Sequence, residues 1–78
     1  MNPSEMEDGK KAQTSQTLVR GLEVIEAVAQ DPLSISDIAR KTGITYATAH
    51  RIVSVLVQRS YLRNDPTRGY GLGSKLQE

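Results

Sequence analysis

The feature that most restricts the fold is a turn, Thr42-Gly43, between two short segments that both carry helix signals. Glycine takes positive φ without steric cost, so Gly43 can reverse the chain just past a helix end. Before the turn, Ser34-Ile35-Ser36-Asp37 fits a capping box in its weaker aspartate form. A short helix is predicted over Ile35 to Lys41. After the turn, Thr45 can cap a longer helix. Its Ala49, Ile52, Val53 and Leu56 recur at i, i+3, i+4 and i+7, and it should end near Arg59-Ser60. Two helices joined so closely cross at roughly 90–120°. The crossing needs a small residue early in the first helix, and Ala39 fits. Ile38, Ile44, Ala49 and Ile52 fill the angle between the helices. None of these positions is charged. The pattern is that of a helix-turn-helix over 35–54. The competing reading is two helices of any small helical domain packed at an angle.

The flanks extend this pattern. Leu18, Leu22, Ile25 and Ala29 follow i, i+4, i+7, i+11, with Gly21 and Val28 beside them, which predicts an amphipathic helix facing the core along that stripe. Ser15 or Thr17 caps it, and Asp31-Pro32 ends it, because proline disfavours helix in the residue before it. Gly21 is expected to let another element approach closely. Beyond the helix-turn-helix, Tyr61-Leu62-Arg63 and Tyr70-Gly71-Leu72 read as strands around a turn at Asn64–Gly69. Ser74 then starts a helix that the sequence leaves after little more than one turn. Residues 1–15 lack periodicity and are polar, which reads as a disordered tail. The fold class is therefore mainly α with a small β-hairpin: a three-helix core plus a wing. The expected organisation is a tail at 1–15, a winged helix-turn-helix at 16–73 with its wing at 61–72, and the start of a linker helix at 74–78.

Composition removes several function classes. The chain has 78 residues and no cysteine, so disulfides and thiolate chemistry are excluded. His50 is the one histidine, and without a second imidazole or a thiolate it makes a poor metal site. No metal or other cofactor is expected. Three tyrosines are the whole aromatic complement, too few for a platform that stacks single-stranded bases. Apolar runs stop at three residues, against about 20 for a membrane helix, so no membrane association is expected. No basic-then-apolar leader pattern opens the sequence, and a cytoplasmic location is expected. Scattered carboxylates and one histidine offer no acid–base pair, which argues against an enzyme.

The net charge of +1 conceals a segregation. Residues 1–39 hold three cations and seven carboxylates, a balance of −4. Residues 40–70 hold Arg40, Lys41, Arg51, Arg59, Arg63 and Arg68 against Asp65, a balance of +5. A basic half attached to an acidic half suggests a polyanion-binding face; a solvated surface with clustered charges is the plainer reading.

Four blocks of the sequence resemble the N-terminal DNA-binding domain of the IclR family of bacterial transcription regulators. They are Thr17–Glu26, Leu33–Ile44, Ala47–Val53 and Gly69–Gly73, in the family's order and spacing. The sequence departs from the family at Thr45-Tyr46-Ala47, where a Pro or Ser, a basic residue and then Ser often stand. That departure bears on the preferred DNA sequence, not on the fold. The resemblance implies a sequence-specific binder of a double-stranded, (pseudo)palindromic DNA operator. It further implies a homodimer or dimer of dimers for the full-length regulator, with the first and last helices as dimer contacts. A small-molecule effector would bind a C-terminal domain that this chain lacks. A winged-helix protein-interaction module without DNA binding is the alternative.

On this reading the longer helix enters the major groove. With its apolar stripe inward, Thr45, Tyr46, Ala47, His50, Arg51 and Ser54 face outward. Arg51 can pair with guanine or clamp a phosphate. His50 can bond a base edge or a phosphate, Ala47 can touch a thymine methyl, and the Tyr46 hydroxyl can reach a phosphate or simply pack beside the turn. Thr48, between the core and outer faces, suits a phosphate contact. Ser36 lies at a helix start where free amides could hold a phosphate. Arg40 and Arg20 can reach the backbone, and Arg40 can equally offset the helix dipole. Arg68 on the wing can enter a narrow minor groove or protect a strand edge.

Overall fold

A computed structural model describes residues 15–77. The predicted tail lies outside the described residues except for Ser15. The described chain forms α1 (Gln16–Gln30), α2 (Ile35–Thr42), α3 (Tyr46–Gln58), β1 (Leu62–Asp65), β2 (Gly69–Leu72) and α4 (Ser74–Gln77). This is the three-helix core with a hairpin wing that the residue pattern predicts.

Local chemistry sets the helix ends. Ser15 occupies the cap position of α1, where its carbonyl accepts the Val19 amide at 3.0 Å. Asp31 closes α1 in an extended conformation (φ −158°, ψ 144°), as a residue before proline prefers. Ser34 caps α2 by accepting the Asp37 amide at 3.1 Å. Gly43 follows α2 at φ 73°, and the Gly43 and Ile44 amides both donate to the Ala39 carbonyl. Thr45 caps α3 by accepting the Thr48 amide at 3.2 Å. At the far end of α3, Ser60 takes φ 70° and the Tyr61 amide donates to Leu56 O at 2.9 Å. That closure normally uses glycine at the left-handed position.

The core is Val24 and Val28 of α1, Ile35, Ile38 and Ala39 of α2, Ala49 and Val53 of α3, and Leu62 of β1. Ile44, Ile52 and Leu56 pack against it, half-buried. The helix-turn-helix angle is thus filled as expected. The stripe on α1 is not. Leu18 is 63% exposed, Leu22 49%, and Ala29 is exposed as well, while Val24 and Val28 are buried. The helix is rolled so that its valines, not its leucines, meet α2 and α3. Gly21 also differs from expectation: a Cβ built there would meet nothing within 4 Å, so no element approaches it closely.

The wing is more tightly built than its sequence suggests. β1 and β2 pair antiparallel with Leu62 opposite Leu72 and Asp65 opposite Gly69. The strands therefore include Asn64 and Asp65, which the sequence places in the turn. The turn itself is Pro66-Thr67-Arg68. The Asp65 carboxylate accepts the Thr67 amide at 3.0 Å and its hydroxyl at 2.8 Å. Leu33, in the α1–α2 connection, adds a bridge to β2: it exchanges both backbone hydrogen bonds with Tyr70, at 3.0 and 2.8 Å. Ser74 is the first residue of α4 rather than its cap. The helix is tied back by the Lys75 amide to Ser60 O and by Gln77 Nε2 to Leu72 O. No helix among the described residues is long and apolar enough to cross a membrane.

Candidate nucleic-acid interface

Thr45, Tyr46, Ala47, Thr48, His50 and Arg51 gather at the start of α3. An α-helix turns 100° per residue, so burying Ala49, Val53, Ile52 and Leu56 turns 47, 51, 54 and 58 outward. Tyr46, Ala47, His50, Arg51 and Ser54 are exposed accordingly. Thr45, as the cap, lies at the same end. The first two amides of α3, Tyr46 and Ala47, precede Ala49, the first amide to donate within the helix, so this end carries positive dipole charge.

Hydrogen bonding separates the two threonines. Thr45 Oγ1 accepts the Thr48 amide and donates to Thr48 Oγ1 at 3.0 Å. Thr45 is thereby committed to the cap. Thr48 keeps its own hydroxyl proton for an outside acceptor.

The arginines divide in the same way. Arg20 Nη1 lies 3.1 Å from Glu23 Oε1, and Arg40 Nη1 lies 2.8 Å from Asp37 Oδ1. Both are i,i+3 pairs on one helix face. The Arg40 guanidinium, followed by the Ser34 hydroxyl, holds the Asp37 carboxyl below its ordinary value of 3.8. Arg51 and Arg68 have no carboxylate partner among the described residues. Arg51 is thus the unneutralised cation of the α3 face, and Arg68 that of the wing tip.

A groove of about 750 Å³ runs between the start of α1 and α3. Arg20, Thr45, Thr48 and Arg51 line it together with the apolar Leu18, Ile52 and Val55. The structure therefore brings Arg20 to the same cleft as three of the α3 candidates. Ser36 is exposed on the first turn of α2, and Arg68 stands apart on the hairpin turn. The apolar wall formed by Leu18 and Val55 was not apparent from the sequence. Leu18 lies on the stripe that periodicity predicts to be buried, and Val55, 52% exposed, lies outside the i, i+3, i+4, i+7 pattern of α3.

The sequence matches a known family. Residues 17–66 match the model of the IclR helix-turn-helix domain. The chain belongs to that family. Among solved structures it is similar to an IclR family transcriptional regulator from Brucella abortus, at 36% identity and a TM-score of 0.70. That match covers 78% of this chain and 24% of the regulator's, so the chain spans about a quarter of the protein it resembles. No curated protein matches it. The IclR helix-turn-helix is a DNA-binding domain of transcription regulators, not an enzymatic fold. The match confirms the family resemblance over the first three blocks, Gly69–Gly73 lying beyond its last residue, and the solved structure bears out the winged helix-turn-helix architecture.

Proposed function

We propose that this IclR-type domain reads a specific double-stranded DNA sequence, with the start of α3 in the major groove and the wing on the backbone or in the adjacent minor groove. The observation that carries the proposal is the exposed α3 face, on which Arg51 stands without a counter-ion beside His50, Ala47 and Thr48. Arg51 donates a bidentate pair to guanine or clamps a phosphate. His50 bonds a base edge or a phosphate, Ala47 meets a thymine methyl, and Tyr46 lies at the edge of this face. Thr48 donates its hydroxyl to a phosphate, while Thr45 positions Thr48 as a cap. Ser36 offers the start of α2 to the backbone.

Arg20 and Arg40 reach the backbone by exchanging their carboxylates for phosphates. Both pairs are partly exposed and so of low cost to open. Arg68 approaches the minor groove from the wing. The domain occupies 16–73, and α4 begins a linker to an effector-binding domain. The full regulator is then a cytoplasmic homodimer or dimer of dimers. It reads a (pseudo)palindromic operator with half-sites about one helical turn apart, or multiples of it.

The test is selection of duplexes from a random pool, followed by titration across salt concentrations. Binding should weaken linearly with log salt, at about −0.9 per phosphate neutralised. Arg51→Ala should lose about 1–3 kcal/mol on the selected sequence if Arg51 reads a base. Loss of a cation at a phosphate position, as in Arg40→Ala, should instead weaken all sequences alike and flatten the salt slope. Unchanged titrations with Arg51→Ala would remove α3 from the interface. No DNA affinity at low salt would favour a protein-interaction role for the same face.

A further inference from the structure

Tyr46 and His50 stand at i and i+4 on the exposed side of α3. That spacing places two helical side chains one above the other. Their rings are stacked, with centroids 6.4 Å apart and planes 24° from parallel. The pair is not a core contact, since His50 is exposed and Tyr46 is 55% exposed. Among the described residues, neither the tyrosine hydroxyl nor the imidazole nitrogens have a hydrogen-bond partner. The stack is thus the interaction among the described residues that bears on both rings.

A stack fixes the plane of an imidazole but leaves its edge open. A neutral imidazole carries one donor and one acceptor on that edge. Purines present N7 as an acceptor in the major groove, and guanine adds O6. A flexible histidine must lose rotamer freedom to make such a bond, whereas one already held by a neighbour loses less. The sequence alone suggested a separate use for Tyr46, a phosphate contact through its hydroxyl. The stacking points to a different one.

We infer that Tyr46 is a positioning residue for His50, its ring holding the imidazole edge towards a purine in the major groove. The inference rests on the DNA-reading proposal above and adds a residue that sets specificity without touching a base.

Two measurements test it. In the free protein, NMR should show the carbon-bound ring protons of His50 shifted upfield by the Tyr46 ring current. Tyr46→Leu should remove that shift and Tyr46→Phe should keep it. On a duplex selected by the unaltered protein, each base pair is then changed in turn. Tyr46→Leu and His50→Ala should lose discrimination at the same base pair, by about two- to tenfold. The double variant should lose no more than His50→Ala alone, and Tyr46→Phe should bind like the unaltered protein.

Equal losses in Tyr46→Phe and Tyr46→Leu would assign Tyr46 to a hydroxyl contact and overturn the inference. Additive losses in the double variant would overturn it too, as would a His50 shift that ignores Tyr46. If the unaltered protein selects no duplex, the DNA-reading proposal fails and takes this inference with it. A failure confined to the Tyr46 variants leaves DNA reading intact.

Discussion

The helix-turn-helix and the wing both depend on glycine, for different physical reasons. Gly43, between α2 and α3, adopts φ 73°, yet a Cβ there would meet nothing within 4 Å. Its role is a dihedral angle that any sequence-local model can anticipate. Gly69 and Gly73, at the two ends of β2, are needed for space. A Cβ at Gly69 would lie 2.7 Å from Leu33 O, and one at Gly73 would lie 2.4 Å from Ser60 O. Both obstacles are backbone atoms and cannot swing aside. The turn of the helix-turn-helix is therefore set by neighbours in sequence, and the wing by segments distant in sequence. The helix-turn-helix is locally encoded, while the hairpin is moored to the α1–α2 connection and to the end of α3.

The largest effects should come from the moorings. Gly73→Ala should destabilise the fold by about 2–4 kcal/mol, because strain from backbone overlap is among the few mechanisms that reach this size. Gly69→Ala should fall in the same range, with its positive φ of 107° adding to the overlap. Gly71→Ala, between them and with open space around it, should stay within about 0.5 kcal/mol. Denaturant unfolding of the three variants checks the contrast. Equal costs at 71 and 73 would break it.

Smaller losses are expected in the helix-turn-helix. Gly43→Ala should cost about 1–2 kcal/mol through its dihedral alone. Thr45→Ala should cost about 1 kcal/mol through the lost cap. It should also weaken DNA binding indirectly, by releasing Thr48. Thermal unfolding together with titration on one duplex separates the two effects.

A gain of about 0.5–1 kcal/mol should follow Ser60→Gly. Ser60 holds φ 70° at the end of α3, where glycine adopts that angle without steric cost. Its carbonyl also accepts the Lys75 amide. The variant should therefore raise the unfolding midpoint without altering the wing, as amide exchange at Lys75 would report.

The smallest expected effect is electrostatic. The Thr67 amide, then the Thr67 hydroxyl, holds the Asp65 carboxyl below its ordinary value of 3.8. A lowered value means that the stabilisation is fully present above pH 3.8 and is lost as the pH falls through the lower folded value. Thr67→Val should move the Asp65 midpoint part of the way back towards 3.8, because the amide bond remains. An NMR titration of Asp65 measures it.

Much of the α3 face was legible because its cues are local. Thr45, Gly43 and the apolar spacing from Ala49 to Leu56 fix which residues turn outward, and Tyr46, His50 and Arg51 follow. The partners of Arg20 and Arg40 were also readable in principle, since Glu23 and Asp37 stand three positions away. The face that α1 buries was not. Its leucines and its valines form two apolar stripes, and periodicity alone does not say which one meets α2 and α3. The anchoring of the wing was equally hidden. Nothing near Leu33 announces that its backbone pairs with Tyr70.

By itself, the sequence determined the order of elements, the helix ends and the outward face of α3. Those depend on caps, left-handed residues and periodicities that act within a few residues. The tertiary structure decided the roll of α1, the mooring of the hairpin and the stacking of Tyr46 on His50. It decided them because burial and backbone pairing depend on which surface arrives from elsewhere in the chain, and side-chain stacking depends on the rotamers left open once that surface has arrived.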